Sequence, residues 1–245
     1  MINKGNAMSG HSIYPVDKQF SKDAWVDQEK YHTMYRRSVE NPDAFWAEQS
    51  EQFLTWDSPW KSISQSDFSR AEANWFIGGK LNVTVNCIDR HLPDRANQTA
   101  IIWEGDDPAE NSFITYSQLH AHVCRLGNLL RQRGVKKGDR VCIYMPMIPE
   151  AAYSMFACMR IGAIHSVVFG GFSPEAISSR ILDADCEYVI TADEGIRGGK
   201  TIPLKFSVDK ALEKCPKIKN VIVFQYTKTD VNWNNKLDIT YEELV

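Results

Sequence analysis

The sequence has 245 residues, 43% hydrophobic and 24% charged, enough apolar material for one large domain or two modest ones. Lys+Arg 28 against Asp+Glu 31 leave a formal net charge of -3. That argues against a dedicated nucleic-acid or anionic-membrane surface, so any bound phosphate must be gripped by a few local cations.

Six cysteines (Cys87, Cys124, Cys142, Cys158, Cys186 and Cys215) are scattered without a CxxC pair or zinc spacing. Most sit in apolar patterns, so buried free thiols in a reducing compartment, the cytoplasm, are expected. The opening MINKGNAMSGHSIYPV lacks the apolar core of a signal peptide, and no later run approaches membrane-spanning length. The sequons at Asn82 and Asn97 are accordingly read as chance matches.

Residues 1 to about 22 are polar and aperiodic and read as a loose arm. From Trp25 the pattern is helical and amphipathic, and Asn41 with Pro42 opens a second helix. Trp25, Tyr31, Tyr35, Phe45, Trp46, Phe53, Trp56, Trp60, Trp75 and Phe76 crowd this first third. They read as the core or docking surface of a helical layer rather than a cofactor site. LNVTVNCIDRHL is expected to be a further helix ending before Pro93.

Near residue 95 the texture changes. AIIWE (100–104) and SFIT (112–115) read as strands around a polar turn. Leu119, Val123, Leu126, Leu129 and Leu130 then mark one face of a helix ending at Gly134. DRVCIYM is a strand, followed by an apolar helix from Pro149 to Gly162. Strands beginning near 140, 164, 187 and 220 alternate with helices. The expected fold is therefore α/β, a mostly parallel βαβ sheet with helices on both faces. The final ITYEELV reads as the start of another helix without a cap, so the sequence is expected to continue.

The stretch 164–200 organises the rest. Its first strand ends in Phe169-Gly170-Gly171, where missing Cβ atoms permit unusual φ angles and close ligand approach. Ser173 and Pro174 then start a helix. The second strand opens into Asp193-Glu194-Gly195-Ile196-Arg197-Gly198-Gly199-Lys200. Two glycine turns at the same end of two parallel strands lie on one rim of a sheet, the rim where open α/β sheets bind ligands.

GIRGGKT is not a nucleotide P-loop, since Glu194 stands where that motif needs glycine. Arg197 and Lys200, helped by the following helix N-terminus, could still hold one phosphate; a solvated loop is the competing reading. His120 and His122, two apart on a helix, do not share a face. His165 in a strand reads as a core histidine. Asp183, Asp185, Asp193 and Glu194 make no clear acid–base pair, and there is no nucleophile elbow and no GxGxxG. The residues alone thus point to an α/β domain with an anion-binding rim.

YHTMYRRSVENPDAFWAEQS, WFIGGKLNVTVNCIDRHL and the run from TYSQLHAHVC to ADEGIRGGKTIPLK together resemble the N-terminal portion of the AMP-forming acetyl-CoA synthetases, an adenylate-forming family. FGGFSPEA and ADEGIRGGK are its most specific segments. The resemblance implies an arm over 1–24, a helical N-terminal region over 25–92 and the first part of an AMP-binding domain over 93–245. It also implies acetate, ATP and CoA as small-molecule substrates with Mg2+, and neither nucleic-acid nor membrane partners.

Within the family, the turn matching Phe169, Gly170 and Gly171 borders the pantetheine tunnel and the CoA nucleotide. The loop matching Arg197, Gly198, Gly199 and Lys200 holds the CoA 3′-phosphate and adenine. Some members carry arginine where this chain has Lys200, which keeps the charge but loses the bidentate fork.

By the same resemblance, the phosphate loop, the ATP and Mg2+ sites, the acyl pocket and the catalytic lysine all lie beyond residue 245. No catalytic or metal-ligating residue is therefore assigned in this segment. The alternatives are a truncated CoA-nucleotide-binding or interaction module, a propionyl-CoA synthetase fragment and, more remotely, a dinucleotide-dependent oxidoreductase.

Overall fold

The computed structural model describes residues 14–241, which fall into two compact units, one of residues up to 54 with 60–78 and one of 55–59 with 79 onward.

In the first unit, α1 (Lys18–Lys22) lies within the segment that shows no periodicity, capped by the Asp17 side chain. Helices α2 (Gln28–Glu40) and α3 (Pro42–Phe53) meet at Asn41. Its N–H closes α2 on the Arg37 carbonyl, and its side chain accepts the Ala44 N–H to open α3, with Pro42 in the first turn. Phe45 is buried, whereas Trp25, Tyr31 and Tyr35 are exposed.

The sequence reading extends the helical pattern through Trp75 and Phe76, but the chain instead forms an antiparallel hairpin of β1 (Ser62–Asp67) and β2 (Glu72–Ile77). Asp67 takes the Ser69 N–H, and Ala71 adopts φ 54° to turn the chain. A turn built by one side chain and one left-handed residue outweighs a weak helical period.

The second unit begins with α4 (Val83–Cys87), a 3-10 turn over Asp89–His91, and α5 (Leu92–Arg95). Pro93 does not end a helix as expected. It sits in the first turn of α5, where its missing N–H has no helical partner to lose. The Asn82 side chain caps α4 and donates to the Met159 and Arg160 carbonyls, so this sequon is committed to structure. An antiparallel pair, β3 (Thr99–Glu104) and β4 (Asn111–Thr115), leads into α6 (Tyr116–Gln132) through a Thr115–Gln118 capping box.

Then come β5 (Arg140–Met145), α7 (Pro149–Ile161), β6 (Ile164–Phe169), α8 (Pro174–Asp183) and β7 (Tyr188–Ala192). A small hairpin follows, β8 (Gly195–Arg197) and β9 (Lys200–Ile202), then α9 (Leu204–Leu212), β10 (Asn220–Phe224) and β11 (Asp238–Thr240).

Five parallel strands lie in the order β11-β10-β7-β5-β6. Helix α7 packs on α6 and against β5 and β6, while α8 and α9 pack on each other and against β5, β6 and β7, the division between two faces that right-handed crossovers in this strand order require. Val141–Tyr144, Val189–Thr191 and Val221–Val223 are buried almost completely, as continuous apolar runs in a sheet covered on both sides should be. The strand order reverses direction at β5, which places a topological switch point between β5 and β7. Among the described residues no helix is long and apolar enough to cross a membrane.

The expected terminal helix is not what residues 238–240 form. They are a parallel strand paired with Val221–Val223, while residues 242–245 lie outside the described part. Lys205 explains the attachment. Fully buried on α9, its Nζ meets Asp238 Oδ2 at 2.8 Å, Asp209 Oδ1 at 2.6 Å and the Asn232 carbonyl at 3.1 Å. Replacing it by methionine strands the buried Asp238 carboxylate without its cation. Lys205→Met is expected to lower unfolding free energy by about 3–5 kcal/mol, read from the denaturant midpoint; an unchanged midpoint would contradict the role given to this ion pair.

Candidate functional site

The C-terminal ends of β5, β6 and β7 carry the rim. After β6 the chain turns through Gly170 and Gly171. A Cβ on Gly170 would stand 2.8 Å from the Met145 carbonyl oxygen, and Gly171 has φ +111°, so both positions require glycine. Tyr144, buried on β5, holds this turn: its hydroxyl accepts the Gly171 N–H at 3.0 Å and donates to the Phe172 carbonyl at 2.9 Å. Burial raises the Tyr144 phenol above its ordinary range, so it stays a neutral donor. Ser173 caps α8 as expected, with Pro174 at its start.

After β7, Asp193 is buried and receives three backbone N–H groups on Oδ1, from Glu194 at 2.7 Å, Tyr226 at 2.9 Å and Thr227 at 3.2 Å. The Thr227 hydroxyl donates to its Oδ2. Glu194 accepts from the Thr229 hydroxyl at 2.8 Å, and it lies 3.0 Å from the Thr227 hydroxyl, whose single proton it shares with Asp193. Both carboxylates are therefore loop fasteners. Asp185 is engaged elsewhere, with Arg140 and Lys217.

Residues 195–202 are not an open loop. Gly195 faces Ile202, Ile196 faces Thr201 and Arg197 faces Lys200 in an antiparallel hairpin. Its two turn residues, Gly198 at φ +57° and Gly199 at φ +69°, have the signs a tight hairpin turn demands. The strand β9 separates Lys200 from α9, and the Lys205 N–H at that helix start donates to the Asp193 carbonyl at 3.0 Å. The expected help from the helix N-terminus is thus not delivered at Lys200.

Pairing has another effect: residues directly opposite in a ladder project to the same face, so Arg197 and Lys200 stand side by side. The Arg197 guanidinium lies over the Phe169 ring, 5.2 Å from its centroid, so one cation ties the second glycine turn to the first. Phe169 in turn sits 5.9 Å from Phe172, which carries Arg180 on its own face at 5.2 Å.

Sequence reasoning missed Asp106, in the β3–β4 loop. Its two carboxylate oxygens accept the N–H groups of Gly198 (2.8 Å) and Gly199 (2.7 Å). The N–H groups of Gly199 and Gly198 hold this carboxyl below the usual range. These two amides are therefore already engaged, and the glycines contribute the shape of the turn. No local pattern links residues 92 positions or more apart.

Between these elements lies a cavity of about 540 Å³, lined among others by Trp103, Met147, Phe169, Ile196, Arg197 and Tyr226. Its walls are mostly apolar, with Arg197 and Asp106 at the polar side. Trp103 closes one side by donating its indole N–H to the Met147 carbonyl at 2.8 Å. Phe169, Gly170 and Arg197 all line this space, so the structure brings the two predicted turns together.

The remaining candidates lie in other surroundings. His165 is half-buried with its pKa lowered by burial, His122 stacks on Tyr153 with centroids 4.6 Å apart, and His120 meets Asp89 at 3.2 Å. Burial pushes the Cys142 and Cys158 thiols up to about 12 and Cys186 to about 11, so these three are inert; Cys87, by contrast, is exposed. Among the described residues no three of His, Cys, Asp or Glu converge as metal ligands.

A family model described as AMP-binding enzyme matches residues 88–242, and one described as acetyl-coenzyme A synthetase N-terminus matches residues 31–87. The acetyl-coenzyme A synthetase of Saccharophagus degradans is 60% identical over 236 residues, which are 96% of this chain and 37% of that protein. Acetyl-coenzyme A synthetase 2 of Pseudomonas aeruginosa is 58% identical over 232 residues, 95% of this chain and 36% of its own length. The solved acetoacetyl-CoA synthetase from Streptomyces lividans matches with a TM-score of 0.80 and 25% identity, covering 87% of this chain and 32% of that one. The chain thus spans a little over a third of the length of the curated relatives it matches. With both models and a parallel-sheet fold in agreement, the chain belongs to the AMP-binding enzyme family and carries the N-terminal portion of its acetyl-coenzyme A synthetase branch.

Proposed function

We propose that this chain serves an AMP-forming acetate:CoA ligase, and that its own share of the work is the grip on coenzyme A. In that reaction acetate attacks the α-phosphate of ATP, giving acetyl-adenylate and pyrophosphate, and the CoA thiol then displaces AMP. The observation that carries this reading is Arg197 in the lining of an apolar cavity, with Lys200 directly opposite it across the hairpin. Two like charges at directly opposed positions repel each other, and a phosphate between them turns that repulsion into charge-assisted hydrogen bonds.

Phe169 offers a flat aromatic face to the nucleotide base, and the bare backbone at Gly170 and Gly171 lets the ligand approach closely. The apolar cavity suits the uncharged pantetheine arm. In this reading Phe169, Gly170 and Gly171 border the arm and nucleotide, and Arg197 and Lys200 take the 3′-phosphate on a turn shaped by Gly198 and Gly199. Lysine at 200 supplies charge without the planar fork of arginine, so Arg197 is the more directional partner.

Arg197→Ala in the active ligase is expected to raise the KM for CoA about tenfold, as loss of one charge-assisted bond should. Pyrophosphate–ATP exchange should be spared, because the CoA phosphate plays no part in the first half-reaction; equal losses in both half-reactions would count against the assignment. Gly170→Ala forces the turn off the Met145 carbonyl and should lower stability by about 1–3 kcal/mol, measured by thermal melting, while weakening CoA binding. The purified 245-residue chain alone is expected to give no isotope exchange between pyrophosphate and ATP; measurable exchange would refute the view that it supplies only the CoA side.

A further inference from the structure

We propose that Asp106 is the positioning residue of this phosphate site: from the β3–β4 loop, its carboxylate holds the β8–β9 turn in the shape that keeps Arg197 and Lys200 side by side. The inference rests on the reading of those two cations as phosphate ligands.

A hairpin with three residues in each strand is marginal without outside support. Its turn is two glycines, the residues with the widest backbone freedom, and its flanking positions carry like charges that push the strand ends apart. Packing does not hold the tip, since a Cβ added at Gly198 or Gly199 would meet nothing within 4 Å.

What holds it is the pair of N–H groups on consecutive left-handed residues, a concavity that favours an anion. Asp106 fills that concavity with one oxygen on each N–H, at 2.8 and 2.7 Å. The carboxylate is itself firmly mounted. The Gly105 N–H donates to the Glu110 carbonyl at 2.6 Å, and the Glu110 N–H to the Asp107 carbonyl at 2.8 Å. The Trp103 indole fastens β3 to the Met147 carbonyl.

Because the aspartate occupies the backbone donors, the ligand phosphate is left to the side chains of Arg197 and Lys200. The geometry also defines the opposite possibility. If the carboxylate were a rival for the phosphate rather than its support, removing it would tighten binding.

The test is a titration of the protein with CoA and with 3′-dephospho-CoA, unaltered and as Asp106→Asn, Asp106→Ala and Asp106→Glu, with amide hydrogen exchange followed over 196–201. The unaltered protein should prefer CoA. Asp106→Ala should bind CoA about tenfold more weakly, the scale of one lost charge-assisted bond, and 3′-dephospho-CoA as before. Exchange at Gly198 and Gly199 should accelerate, Asp106→Asn should fall between, and Asp106→Glu should recover part of the CoA preference.

CoA binding by Asp106→Ala that is unchanged or tighter, with the preference intact, overturns the positioning role while leaving the phosphate reading standing. Absence of any preference in the unaltered protein overturns that reading, and this inference with it.

Discussion

The Asp193 carboxylate at the end of β7 is the constraint on which the rim depends. It is buried, and it receives N–H groups from its own loop and from residues 226–227 beyond β10. Several hydrogen bonds to one buried carboxylate compensate its desolvation and lock two loops to one point in space. Its carbonyl also receives the first turn of α9. Between the end of β7 and that helix, the chain forms the β8–β9 hairpin.

The two turns of the site then follow one structural rule. Each is rich in glycine, so each could take many shapes, and each is held by a side chain from another element. Tyr144 clasps the Gly170–Gly171 turn from β5, and Asp106 clasps the Gly198–Gly199 turn from the β3–β4 loop. Arg197 over Phe169 joins the two. The rim therefore combines backbone close enough for a ligand to touch with an order that glycine alone does not supply.

Much of the fold could be read from the chain. Asn41-Pro42 and Ser173-Pro174 are helix starts whose chemistry is local, and both are observed. The apolar runs at β5, β7 and β10 read as strands covered on both faces, and are observed as such. The hairpin at 62–77 escaped notice because SISQSD is nearly all polar and EANWFI does not alternate, and the strands at 195–202 and 238–240 because three residues are too few to show a period. Pro93 misled because proline ends a helix interior yet suits a first turn.

Sequence alone determined that there is a parallel α/β sheet, that two glycine turns share its C-terminal rim, and that the second turn carries two cations, Arg197 and Lys200. These are consequences of periodicity, of glycine's missing Cβ and of strand direction, all of which act over a few residues. Only the tertiary structure decided that the second turn is a hairpin, that its two cations share a face, and that Asp106 and Tyr144 hold the turns in place. Those facts depend on groups brought together across the fold, and no local pattern records which distant carboxylate a pair of backbone N–H groups will meet.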